Sequence, residues 1–152
     1  VKATIDELRV KGACPDEIKG DKIVVKMQRR GGLLLTTSFV NGLKATLVLD
    51  TGASTIHLSQ KFAEQARIPL DRENMIKVTG VAGSRTDYLS TADRVSVGSV
   101  EAFRVIVTVA SDNDKVLGEG IDGLLGQTFL SRYRIAIDGE SLALGRLGSG
   151  TP

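Results

Sequence analysis

Tryptophan is absent from this sequence, cysteine and histidine occur once each, and 152 residues hold only three prolines and two tyrosines. The lone Cys14 excludes an intrachain disulfide and leaves the redox compartment open. With His57 far away in sequence, the pair lacks the ligand spacing of a zinc centre. Neither sign of charge dominates: 20 Lys and Arg stand against 18 Asp and Glu, for a net charge of +2. No helix face or tail gathers basic residues into a nucleic-acid footprint, and Arg29-Arg30 beside Gly31-Gly32 reads as a solvated basic linker. No apolar run approaches the roughly 20 residues that span a bilayer, and the start lacks the charged-then-apolar order of a signal peptide. The chain opens on Val1 rather than Met, as expected of a mature or excised portion of a longer protein.

Glycine, by contrast, is plentiful. Seventeen glycines, with 41% hydrophobic and 25% charged residues, describe a globular chain with many tight turns and an aliphatic interior. That favours a β protein, and the length suits one core.

Residues 1–32 are rich in Lys, Glu, Asp and Gly, with Ile23-Val24-Val25 as the one strand-like run, and read as a polar arm. From Leu33 short strand-like runs alternate with turn signals. Leu33 to Val40 and Leu43 to Leu49 flank Asn41-Gly42, the strongest two-residue hairpin signal. Ser59 to Ile68 reads as a short helix, with Ser59 in a capping position, Phe62, Ala63 and Ala66 on one face, and Pro69 as the stop. Ile76 to Thr79 and Thr86 to Ser90 enclose a glycine-rich hairpin tip at residues 80–85. Strands follow at Arg94 to Val97 and Phe103 to Val109. A polar loop covers residues 110–120, Gln127 to Arg132 makes a helical turn or two, and a closing hairpin turns at Asp138-Gly139 between Arg134 to Ile137 and Leu142 to Leu147. Seven or more short strands with little helix predict an all-β, closed or sandwiched fold.

The chemistry concentrates at Thr46-Leu-Val-Leu-Asp-Thr-Gly-Ala-Ser-Thr55. Asp50 ends an apolar strand in a turn that needs Gly52, and an aspartate there also has a plain use, bonding backbone amides in an Asx-turn. What points beyond a turn is the combination: an apolar strand before it, Ala53-Ser54 after it, a glycine-tipped hairpin downstream, and an apolar-apolar-glycine element at Leu124-Leu125-Gly126.

In that order, Val48 to Ser54, the glycine-tipped hairpin, then Asp122-Gly123-Leu124-Leu125-Gly126, the chain resembles the retropepsin-like aspartic proteases over roughly residues 33–147. The resemblance is to the cellular bacterial type, often anchored beside a membrane segment, with a periplasmic or membrane-anchored soluble domain as the implied location. It is less like the viral enzymes, where an Asp commonly stands at the position of Ser54 and an Arg at that of Gln127. The resemblance implies a closed β-barrel with a flap hairpin and one or two short helices, with residues 148–152 as a tail. It implies a peptide hydrolase that uses no cofactor or metal. The partners are an extended peptide or protein substrate and a second copy of the chain, with no nucleic acid and with membrane contact only through a segment outside this chain.

The roles it implies are specific. Asp50 is the acid/base of a dyad shared by two copies, since no second Asp-Thr/Ser-Gly exists here and a two-lobed enzyme needs about twice the length. Thr51 reaches the partner's matching loop, Gly52 lets its amide approach the carboxylate, and Ala53 and Ser54 complete the loop, with Ser54 bonding the outer carboxylate oxygen. Gly80, Val81, Ala82 and Gly83 form the flap tip, Ile76, Val78 and Val81 line subsites, and Leu124, Leu125 and Gly126 support the loop. The alternatives are a catalytically silent peptide-binding or dimerisation module of the same fold, and a domain active only after the polar arm is processed away.

Other residues tempt less. His57 stands too close to Ser54 to align a nucleophile with its base, and no glycine elbow surrounds the serine, so His57 reads as a strand-edge or surface histidine. Tyr88 lies beyond the hairpin tip and reads as a half-buried strand tyrosine. Asp112, Asp114, Glu119 and Asp122 lack the order of a calcium loop.

Overall fold

The computed structural model describes residues 22–80, 83–111 and 118–147. Among these residues, eleven strands and two short helices follow in the order β1 (Lys22–Lys26), β2 (Gln28–Arg30), β3 (Leu33–Val40), β4 (Leu43–Leu49), β5 (Ile56–Leu58), α1 (Gln60–Gln65), β6 (Met75–Gly80), β7 (Gly83–Val97), β8 (Val100–Ala110), β9 (Gly123–Leu125), α2 (Gln127–Leu130), β10 (Tyr133–Asp138) and β11 (Ser141–Arg146).

The Asn41-Gly42 hairpin forms as its sequence dictates. Asn41 has φ 53° and Gly42 φ 84°, the two positive angles of a type I′ turn, and Val40 faces Leu43 across it. β4 continues on its other side into β9, parallel to it, with Leu47, Val48 and Leu49 opposite Gly123, Leu124 and Leu125. β9 pairs with β5, β5 with β8, and β8 with β7. The far end of β7 returns to β3, where Val40 faces Val95. Six strands thus close a ring around an aliphatic core that fully buries Leu47, Ile56, Leu58, Val95 and Leu125, with Phe129 of α2 inserted among them. Burial of such side chains contributes roughly 1.5–3 kcal/mol each.

The two runs expected at Thr86 to Ser90 and Arg94 to Val97 are one 15-residue strand, β7, whose first half pairs with β6 and whose second half joins the ring. Helix α1 starts where expected: the Ser59 hydroxyl accepts from the Phe62 amide at 3.2 Å, and Phe62 and Ala63 are buried.

Part of the segment expected as a polar arm belongs to the folded body. β1 pairs with β11, which also pairs with β10, making a three-stranded sheet; β2 pairs with β3; and Met27 between them is buried. Gly98, with φ 60°, makes room for β1: a Cβ there would stand 2.9 Å from Val25 and 3.1 Å from Ile23. The closing turn is shifted by one residue. Asp138 is still paired, with Ser141, and Gly139-Glu140 turn the chain with Gly139 at φ 61°. Residues 1–21, which include Cys14, the loop positions Asp112 and Asp114, and residues 148–152 lie outside the described residues.

Candidate active site

Asp50 leaves β4 half-buried, at the point where the ladder with β9 ends. Its amide donates to the Leu125 carbonyl at 3.1 Å, and its own carbonyl accepts from the Ala53 amide at 3.2 Å. Its Oδ1 accepts from the Gly52 amide at 3.0 Å. This is Asx-turn geometry, yet the turn is clamped from the other side by tertiary contacts rather than left as a surface loop. A Cβ added at Gly52 would meet Oδ1 at 3.5 Å, an ordinary contact, so proximity to the carboxylate does not by itself demand glycine there.

The clamp is the Leu124-Leu125-Gly126 element with the turn of α2 behind it. Gly126 lies so close to the loop that an added Cβ would overlap the carbonyls of Thr55, at 2.1 Å, and Ala53, at 2.7 Å. Gly123 approaches β5 equally closely, with an added Cβ 2.0 Å from the His57 carbonyl. No side chain fits either gap. Gln127 then grips the loop twice, its amide bonding the Ala53 carbonyl at 2.9 Å and its side-chain Nε2 the Thr51 carbonyl at 2.8 Å. Asp122 fixes the entry to this element, accepting from the Thr46 amide at 2.9 Å through Oδ2.

Beside the loop opens a cleft of about 310 Å³. It is lined by Gly52, Ala53, Ser54 and Thr55 of the loop, by Ile76, Thr79, Arg85 and Asp87 of the β6–β7 hairpin, and by His57, Thr108 and Leu124; Asp50 itself is not among the lining residues. The polar members form a connected cluster. Arg85 Nε donates to Asp87 Oδ2 at 3.0 Å, and an Arg85 terminal nitrogen lies 3.4 Å from His57 Nε2. His57 Nδ1 lies 3.0 Å from Thr108 Oγ1, which is 2.8 Å from Thr55 Oγ1. Burial holds the His57 imidazole below its usual pKa; the nearby Asp87 carboxylate opposes this and Arg85 reinforces it. Among the described residues no group of His, Cys, Asp and Glu is arranged to hold a metal ion.

The expected site residues therefore converge only in part. Asp50, Thr51, Gly52, Ala53 and Ser54 share one loop against Leu124, Leu125 and Gly126, and Ile76 lines the cleft. Among the described residues the hydrogen-bond partner of the Asp50 carboxylate is the Gly52 amide, not the Ser54 hydroxyl, which is exposed at the cleft. Gly80 and Gly83 pair at the end of β6–β7, Gly83 with φ 115°; Val81 and Ala82 lie outside the described residues, as does the Val78 side chain. His57 is neither an edge nor a surface residue: it is 8% exposed, with its ring in the cleft wall. Tyr88 is buried in the core rather than half-buried. Sequence reasoning did not find the grip of Gln127 or the Arg85–Asp87–His57–Thr108 cluster. The only sequence signal for the first was a side-chain amide directly after the Leu-Leu-Gly element.

Comparison with known proteins agrees with this geometry. A family model described as aspartyl protease matches residues 36–129, more than half of the chain. A retropepsin-like aspartic protease from Rickettsia conorii superimposes with a TM-score of 0.62 at 26% identity, covering 86% of this chain and 93% of the other. An EIAV protease solved with an inhibitor shares the fold, with a TM-score of 0.51 at 17% identity over 68% of this chain and 90% of the other. An uncharacterized Sinorhizobium protein from the cobV 5' region is 29% identical over 114 residues, 74% of this chain; the match spans 47% of that relative, about half its length. A closed strand ring, an Asp-Thr-Gly loop at the end of a central strand and a glycine-flanked element clamping it have one family in common: the chain belongs to the aspartyl protease family, with a retropepsin-like fold.

Proposed function

We propose that the chain is an aspartic endopeptidase whose active centre forms when two copies bring their Asp50 loops together. The observation that carries this is the Asp50 turn, fixed by Leu125, Gly126 and Gln127, whose following residues Gly52, Ala53 and Ser54 line a cleft. Among the described residues one chain supplies a single suitable carboxylate, because the aspartate that lines the cleft, Asp87, is buried and engaged by Arg85. A two-fold axis beside the loop supplies the second.

Two carboxylates about 3 Å apart cannot both ionise, so the pair holds one proton, a rule for which aspartic proteases are the reference case. The ionised member takes a proton from a water as its oxygen bonds the scissile carbonyl carbon. The protonated member gives its proton to the carbonyl oxygen. Collapse of the resulting diol, with proton transfer to the amide nitrogen, breaks the C–N bond and leaves a carboxylic acid and an amine. The exposed Thr51 reaches the partner's loop. The β6–β7 hairpin acts as a flap, with Gly80, Val81, Ala82 and Gly83 at its tip and Ile76 and Val78 toward the substrate, which lies extended beneath it as an added strand.

The test is a peptide library incubated at several pH values with the wild-type chain, Asp50→Asn and Asp50→Ala. Asp50→Asn keeps an oxygen acceptor for the Gly52 amide, so its thermal melt should match wild type while cleavage falls by at least about a thousandfold. Cleavage surviving in both variants sinks the reading. Mass measurement in solution tests the other half: an active chain that stays strictly monomeric excludes the shared dyad.

A further inference from the structure

The cleft wall carries charge where an apolar subsite would have none. Arg85 lines it with its side chain 54% exposed, whereas the side chain of its ion-pair partner Asp87 is 1% exposed. The guanidinium has five N–H donors, of which one is given to Asp87 Oδ2 and another is directed at His57 Nε2. Most of its donors thus remain for a ligand. Ser54, Thr55 and Thr79 line the same cleft; the Thr79 hydroxyl is paired with Ser84 Oγ at 3.2 Å, which leaves those of Ser54 and Thr55 to add further donors.

The cluster behind Arg85 holds it in one orientation. Since the guanidinium donates to Nε2, the proton of the neutral His57 ring sits on Nδ1 and donates to Thr108 Oγ1, whose hydroxyl then donates to Thr55 Oγ1. Asp87 fixes the Nε edge of the guanidinium from below. An entering side chain meets the exposed cation and hydroxyl donors rather than the buried carboxylate. A basic side chain would be repelled, and an aliphatic one would strip water from these donors without replacing their bonds.

Resting on the endopeptidase reading, we infer that Arg85 is a specificity-determining residue and that it forms, with the neighbouring hydroxyls, a subsite for an acidic side chain of the bound peptide. A carboxylate matches the guanidinium in charge and in the spacing of its two oxygens. Asp87 is a positioning residue, acting through Arg85. Arg85 also lies opposite Val78 in the β6–β7 hairpin, so an acidic side chain gripped there holds the hairpin against the substrate.

The experiment uses peptide pairs that differ only as Glu against Gln, or Asp against Asn, at each position of a cleaved sequence. At one position the acidic member should be cut about tenfold faster or more, the scale of a hydrogen bond to a charged group. Arg85→Gln should bring that ratio to about 1, and Arg85→Lys should leave an intermediate one. Because Arg85→Gln strands the buried Asp87 charge, the double variant Arg85→Gln/Asp87→Asn is measured beside it, with thermal melts to establish that it is folded; its ratio should also be about 1. Cleavage with no acidic preference at any position, or a preference that persists in the folded double variant, overturns the subsite and leaves the endopeptidase reading intact. If no peptide is cut, that reading fails separately, and fluorescence anisotropy with labelled alanine-rich peptides that differ only as Glu against Gln at one central position decides the subsite. Tighter binding of the acidic member that depends on Arg85 upholds it; equal binding, or none, overturns it.

Discussion

The side-chain amide of Gln127, at the start of α2, donates to the main-chain carbonyl of Thr51 at 2.8 Å. One bond thereby ties the tip of the Asp50 loop to the element packed beneath it. Gln127→Glu replaces the donor by an acceptor of the same shape and removes that bond. Unfolding in urea should show a loss of about 1 kcal/mol. The proposed peptidase activity should fall about tenfold or more, because the loop that orients Asp50 is released. An activity loss no larger than the stability loss explains would show that the bond only stabilises.

The glycines of the supporting element are set by space. Gly126→Ala and Gly123→Ala each drive a Cβ into backbone carbonyls, so each should cost about 3 kcal/mol or more, or prevent folding. Gly32→Ala, with nothing within 4 Å, is the control and should change stability by less than about 0.5 kcal/mol. Thermal melts of the three variants are sufficient.

His57 gives a pH signature. Its folded-state pKa lies below the ordinary 6.5, chiefly through burial, so the folded chain binds fewer protons than the unfolded chain in the window beneath 6.5. The stability held by the neutral ring is present above 6.5 and is lost as pH falls through that window, with a slope of at most about 1.4 kcal/mol per pH unit. Urea titrations between pH 7.5 and 5 should show wild type losing more stability than His57→Gln, which lacks the titrating group. Parallel pH curves for the two would refute this.

Asp122 braces the strand that delivers Asp50. Its Oδ2 accepts from the Thr46 amide, its amide donates to the Thr46 carbonyl at 2.8 Å, and its carbonyl accepts from Ser59 at 2.9 Å. Asp122→Ala should cost about 1–3 kcal/mol, since the part-buried Thr46 amide loses its acceptor. Asp122→Asn, which keeps an acceptor oxygen, should recover most of it in the same melts.

What the sequence disclosed was local chemistry. Asn41-Gly42 determined a turn and a register, Ser59 a helix start, and Asp50 with Gly52 a tight turn, because each depends on residues within a few positions. The partners that turn Asp50 from a loop residue into a clamped one are remote: Leu125 and Gln127 follow some 75 positions later, and nothing in their own neighbourhood reveals parallel pairing with β4. β9 has three residues, too few for a periodic pattern. His57 looked peripheral because its burial comes from Thr108, Arg85 and Asp87, whose side chains only the closed ring assembles. The strand-like Ile23-Val24-Val25 shows no local sign of its place in a sheet because the partner of β1, β11, lies at the opposite end of the described residues.

That last pairing bears on how the chain folds during its synthesis. Among the described residues β1 pairs with β11 alone, and β11 is the middle strand of its sheet and the last of the described strands to be synthesised. The six strands of the ring all lie before residue 126, so they can pair while β1 still has no partner, with Phe129, Leu142 and Leu144 added to the core afterwards. Non-local strand pairing is slow, and an unpaired strand is open to association with other chains. Pulse-labelling hydrogen exchange should therefore find the Ile23–Val25 amides protected later than those of Val95–Val97. Early protection of both would mean that β1 and β11 meet before the core has formed.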